Sequence, residues 1–105
     1  MIITEDEMKV TIADKVGMEE CLAQLAEECS ELSQAALKYR RSLKDLTPVT
    51  KGQALKDLLE EMADVEVCKE QVVFMIGHGV CAEQIETQKQ NKLLRWFRRI
   101  TQGMK

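Results

Sequence analysis

The 105-residue chain has one proline, five glycines and only four aromatic residues. So few turn formers and rings leave little to build strands and hairpins from, and helices are favoured. There is one histidine and no CxxC pair among Cys21, Cys29, Cys68 and Cys81, which argues against a zinc site. The opening "MIITEDEMK" is acidic where an export signal would be basic and then apolar. The cysteines are therefore read as reduced, mostly packed thiols of a cytoplasmic protein. The longest apolar run, "VVFMIG" at 72–77, is far too short to span a bilayer, so no membrane partner is expected. A Gly-rich phosphate loop is missing as well.

What is present is ordinary in amount and uneven in place. Hydrophobic residues make up 45% of the chain and charged residues 31%, enough for one domain over residues 1–105 with a modest core. All 18 acids fall within residues 1–86, against nine Lys and Arg. The other six bases, Lys89, Lys92, Arg95, Arg98, Arg99 and Lys105, stand in a tail with no acid, which returns the net charge to −3. An acidic body with a basic tail suggests cations at one place and anions at another.

Local signals place four helices. Thr4 with Glu7 is a capping-box pattern, predicting a short helix over about 5–15 before a break at Gly17. A long helix over about 18–42 follows, with Arg40 and Arg41 suited to its C-terminal dipole. Pro48 lies in the loop after it, and Thr50 with Gln53 caps the next helix, about 51–76. Gly77 and Gly79 are expected to close that helix and leave His78 in a loop. The last helix, about 81–101, is basic.

On a helical wheel, Leu25, Cys29, Leu32 and Ala36 form the expected buried stripe of the first long helix. Leu55, Leu59, Met62, Val65 and Val73 do so for the second. Glu28 lies at the edge of the first stripe with Glu31 further round, while Glu27 points away. Glu61, Asp64 and Glu60 repeat the arrangement. Packing the two helices together would gather four carboxylates, which repel unless divalent cations occupy the cluster. All-oxygen ligation suits Mg²⁺ or Mn²⁺, whereas a di-iron bundle needs Glu-x-x-His pairs that a single histidine does not supply. A solvated acidic surface stands as the other reading of the same residues. Glu66 and Lys69 intrude on the second stripe, and an i,i+3 ion pair accounts for them.

"EECSELSQA" at 27–35 followed by "EEMADVEV" at 60–67 resembles the EExxE…EExxD signature of the MazG-like all-α nucleoside triphosphate pyrophosphohydrolases. The resemblance covers about residues 15–99. It implies an all-α helical bundle with two long metal-binding helices, completed by dimerisation. It also implies Mg²⁺-dependent cleavage of a nucleoside triphosphate to monophosphate and pyrophosphate. Carried over by position, the metal ligands are Glu28, Glu31, Glu61 and Asp64. Glu31 is our choice for the carboxylate that orients the attacking water or accepts its proton. "KQNKLLR" resembles, more loosely, the basic element with which relatives hold phosphates, and offers Lys89, Asn91, Lys92 and Arg95.

In the last helix, Lys92, Arg95 and Arg99 share one face; Leu93, Phe97 and Ile100 share another. Phe97 is expected in the core, and Trp96 is placed to stack on a base. Two long helices leave more apolar edge than one small chain covers, so a homodimer or homotetramer is expected. The competing functions are a nucleotide-binding module without turnover and a helical nucleic-acid binder acting through the tail. The four acids argue against the first, and nucleic acid is not the expected partner.

Overall fold

The computed structural model describes residues 2–103, without the side chain of residue 78; His78's side chain and the tail cation Lys105 therefore lie outside the described residues. Every regular element among them is helical: α1 (Glu5–Val16), α2 (Met18–Ser42) and α3 (Lys51–Thr101). The expected starts of the first three helices are met. The Thr4 hydroxyl accepts from the Glu7 amide at 3.1 Å, and the Thr50 hydroxyl accepts from the Gln53 amide at 3.1 Å. Each satisfies an amide that the first helical turn leaves without a partner. Gly17, with φ 87°, holds the left-handed conformation that separates α1 from α2.

The fourth helix begins sooner than expected. Only Gly77 leaves helical geometry, with φ 154° and ψ 82°, so α3 consists of two arms, residues 51–76 and 78–101. Residues 78–80 are helical, which corrects the loop placed there. One glycine with φ in that range interrupts the helix by itself, and Gly79 is not needed for the stop. The chain divides into two compact units, Met1–Met75 and Ile76–Lys105, described separately below.

In the first unit α2 and α3 run antiparallel. Cys21 and Gln24 share a cavity with Cys68 and Gln71, and Ala35 shares one with Asp57, so numbers rise on one helix as they fall on the other. The seam follows a heptad rhythm of threes and fours. On α2 it is Cys21, Leu25, Glu28, Leu32, Ala35, Tyr39 and Ser42; on α3 it is Ala54, Leu58, Glu61, Val65, Cys68 and Val72. All of these are buried or half-buried. Ser42 is satisfied by donating to the Tyr39 carbonyl at 2.6 Å. Gln71 donates to the Lys9 carbonyl at 2.9 Å, which ties α1 to α3.

This seam corrects the expected stripes. Cys29 and Ala36 are exposed, as are Leu55, Leu59 and Met62, while Ala35 is buried at 7% exposure. Both helices carry apolar residues on two neighbouring faces, and the wheel centred the stripe between them. Packing selected the face that includes the glutamates. Leu59, 55% exposed, marks the face left over.

In the second unit, residues 86–103 are exposed throughout. Phe97 is 60% exposed, not a core residue, and Leu93 and Ile100 are more exposed still. The arm is amphipathic, but among the described residues of this unit no second helix meets its apolar face.

Candidate metal centre

A heptad seam normally holds apolar residues. Here its middle layer is Glu28 from α2 and Glu61 from α3. They lie in the seam, not at its edge, and Glu31, one turn beyond Glu28, joins them. One carboxylate oxygen from each of Glu28, Glu31 and Glu61 lies within 4.8 Å of the others. Asp64 is outside that trio but near enough for its charge to act on both seam glutamates. The structure thus brings together three of the four acids expected to do so and sets the fourth beside them.

Hydrogen bonding leaves the site incomplete. Glu28 Oε1 accepts from Gln24 Nε2 at 2.9 Å. Glu28 Oε2 and Glu61 Oε2 are buried and have no hydrogen-bond partner among the described residues. Burial raises the Glu28 carboxyl above the usual glutamate range; the Gln24 bond opposes this, and the charges of Glu31, Asp64 and Glu27 add to it. Glu61 is raised as well, first by burial, then by the charges of Glu31, Asp64 and Glu28, and last by a side-chain hydrogen bond with Glu31. Two buried carboxylate oxygens, short of donors and surrounded by like charge, fit a hard divalent cation that prefers oxygen. The Cys68 thiol is also pushed up, first by its own burial and then by Glu28 and Asp64. That environment keeps it protonated and a poor nucleophile.

Two cavities of the first unit border the cluster. One, of about 470 Å³, is lined by Glu31, Ala35, Lys38, Arg41, Asp57 and Glu61, among others. The other, of about 420 Å³, is mainly apolar and includes Val16, Cys21, Gln24, Val67 and Cys68, with Lys15 and Glu20 as its charged residues. Gln24 and Asp57 were not singled out from the sequence. A heptad frame for α2 would have found Gln24, which lies one turn before Glu28 and beside the seam.

The remaining expected site residues belong to the second unit. Asn91 and Arg95 line an open groove of about 610 Å³ with Arg98 and Arg99. Lys89 makes an exposed ion pair with Glu86 at 3.2 Å, and Lys92 is exposed. Trp96 is 64% exposed. Lys69 and Glu66 form the expected ion pair at 3.3 Å. Among the described residues no helix is long and apolar enough to cross a membrane.

Comparison of the chain with protein-family models, with curated proteins and with solved structures gave no match.

Proposed function

We propose that the protein is a Mg²⁺-dependent nucleotide pyrophosphohydrolase that cleaves the α–β phosphoanhydride of a nucleoside triphosphate. The observation that carries this reading is the pair of buried, unpartnered oxygens on Glu28 and Glu61, set in a seam that otherwise buries mainly apolar side chains. Carboxylates so placed are costly without a counter-charge, and a divalent ion provides one. Glu28, Glu31 and Glu61 would hold the ion, with Asp64 beside them. When bound, Mg²⁺ or Mn²⁺ polarises phosphate oxygens and makes bound water more acidic.

The chain's own residues complete the chemistry. Glu31 is exposed where Glu28 and Glu61 are half-buried, so it is the carboxylate open to an incoming water. It orients that water and takes its proton as the water oxygen adds to phosphorus. The bridging P–O bond breaks, and its electron pair leaves on the departing phosphate. The motif resemblance supports this assignment and extends it to Lys89, Asn91, Lys92 and Arg95 as phosphate contacts and to Trp96 as a base-stacking ring.

Leu55, Leu59 and Met62 support association with a second copy in a homodimer or homotetramer, since all three are exposed along one side of α3. A second reading is favoured by Trp96 and Phe97, exposed between Arg95 and Arg98: single-stranded nucleic acid stacks on such residues. Incubation with a panel of nucleoside triphosphates and Mg²⁺, with products resolved by chromatography, tests the proposal. Monophosphate plus pyrophosphate, abolished by chelator, is the expected result. Release of single orthophosphate with a diphosphate product overturns it.

A further inference from the structure

The cavity beside Glu31 and Glu61 contains opposite charges that do not pair. Lys38 and Arg41 line it together with Glu31, Asp57 and Glu61. Among the described residues, the ion pairs are Lys69–Glu66 and Lys89–Glu86, and neither involves this cavity. A helix C-terminus favours cations through its dipole, which accounts for bases near residue 41. The dipole does not account for their opening into one groove with three carboxylates.

Side-chain direction brings the two sets toward each other. On any α-helix the Cα–Cβ bonds tilt toward the N-terminus. Lys38 and Arg41 on α2 therefore lean back toward Glu31, which is two turns, or about 10 Å, before Lys38. Glu61, on the antiparallel α3, leans toward its own N-terminus and so toward the cations. The groove thus sets Lys38 and Arg41 beside Glu31, Asp57 and Glu61. The other cavity is mainly apolar and holds a single cation, Lys15, beside Glu20; of the two, the one at Glu31 and Glu61 puts two cations together with the cluster acids.

Resting on the pyrophosphohydrolase reading above, we propose that Lys38 and Arg41 form the anion subsite of this site, gripping the terminal phosphates of the substrate and then the departing pyrophosphate. Arg41 supplies a planar fork that matches two phosphate oxygens, and Lys38 a compact point charge. This subsite lies wholly within the first unit and does not depend on the basic tail.

Titration calorimetry with inorganic pyrophosphate tests this, in parallel with Mn²⁺ binding followed by electron paramagnetic resonance. Lys38→Gln/Arg41→Gln is expected to weaken pyrophosphate binding at least tenfold and to leave Mn²⁺ affinity within twofold of the parent. Circular dichroism checks that the variant is folded. Arg41→Lys, which keeps the charge and loses the fork, is expected to fall between the two. Unchanged pyrophosphate affinity in the double variant overturns the inference, as does a parent protein that binds no pyrophosphate. So does a loss confined to Lys92→Gln/Arg95→Gln. Should the parent bind no Mn²⁺ while pyrophosphate affinity still depends on Lys38 and Arg41, the metal reading fails and the anion subsite stands.

Discussion

Within residues 18–75, two glutamates occupy seam positions that would ordinarily hold leucine or valine. Within residues 78–101, Leu93, Phe97 and Ile100 stand exposed where charged residues would ordinarily be. The first unit buries carboxylate and the second leaves apolar surface in water. Both arrangements cost stability in the isolated chain, and each points to a different missing component. Charge in a seam calls for a counter-ion, because only opposite charge offsets desolvation together with like-charge repulsion. Apolar surface on a helix calls for another apolar surface. On the proposed reading, the comparison therefore separates a candidate ligand site from a candidate assembly face by the kind of partner each would take.

Replacing the seam acids should break the comparison most severely. Glu28→Gln and Glu61→Gln each remove a charge while keeping shape, and are expected to lower turnover about a hundredfold or more, since outer-shell partners of metals alone cost 10–100-fold. Pyrophosphate release measures this, and Mn²⁺ binding should weaken in parallel. Retained turnover in both variants would mean that the seam carboxylates serve something other than catalysis.

Metal and pH should act on the same residues through stability. A divalent ion at about 100 times its dissociation constant adds about 2.7 kcal/mol to the folded state, visible as a raised melting temperature. Without metal, Glu28 and Glu61 have carboxyl groups raised above their unfolded values. The folded protein then binds more protons than the unfolded chain over that range, so this contribution to stability is full below the unfolded pKa and is lost as pH rises through the folded one. Saturating metal should reverse the trend, because the ion binds the deprotonated form. Melting curves across the mildly acidic range, with and without Mg²⁺, check both signs. Identical curves would leave the seam acids without a ligand.

The apolar side of the comparison predicts association. If Leu59, Met62 or the tail residues are covered by a second copy, tenfold dilution should cost about 1.4 kcal/mol of assembly free energy and lower the melting temperature. Sedimentation of Leu59→Arg should show a shift toward monomer. A parent chain that sediments as a stable monomer at micromolar concentration would remove the assembly face from the argument.

The helices, their caps and the acid cluster were legible in the sequence because each rests on local chemistry. Thr4, Thr50 and Gly17 act within a few residues of themselves, and ExxE spacing sets a helix edge whatever the tertiary structure. The phase of packing was not legible. Cys29, Ala36, Leu55 and Met62 are as apolar as the residues that fill the seam, and periodicity does not say which of two apolar faces meets the same chain. The tail misled for the same reason: Phe97 has the pattern of a core residue, and its partner is not encoded in its own helix. Gly79, expected to act with Gly77, proved dispensable because a single residue at φ 154° interrupts the helix.

The smallest expected effect is the one that sharpens the comparison most. Glu27 adjoins Glu28 and Glu60 adjoins Glu61, so each seam acid has a chemically identical neighbour turned about 100° around the helix. Glu27 and Glu60 are exposed, and neither belongs to the carboxylate trio. Glu27→Gln and Glu60→Gln should therefore change stability by no more than about 0.5 kcal/mol, as surface substitutions usually do. Their turnover and Mn²⁺ affinity should stay close to those of the parent. Glu27 is not wholly neutral, since its charge adds to the upward push on Glu28. Removing it should bring the Glu28 carboxyl slightly back toward its ordinary value. Carbon-13 NMR titration of the side-chain carboxyls resolves that shift. A large loss of activity at Glu27 or Glu60, equal to that at their neighbours, would show that the helices are turned differently from this structure and that the seam, with its acid layer, must be redrawn.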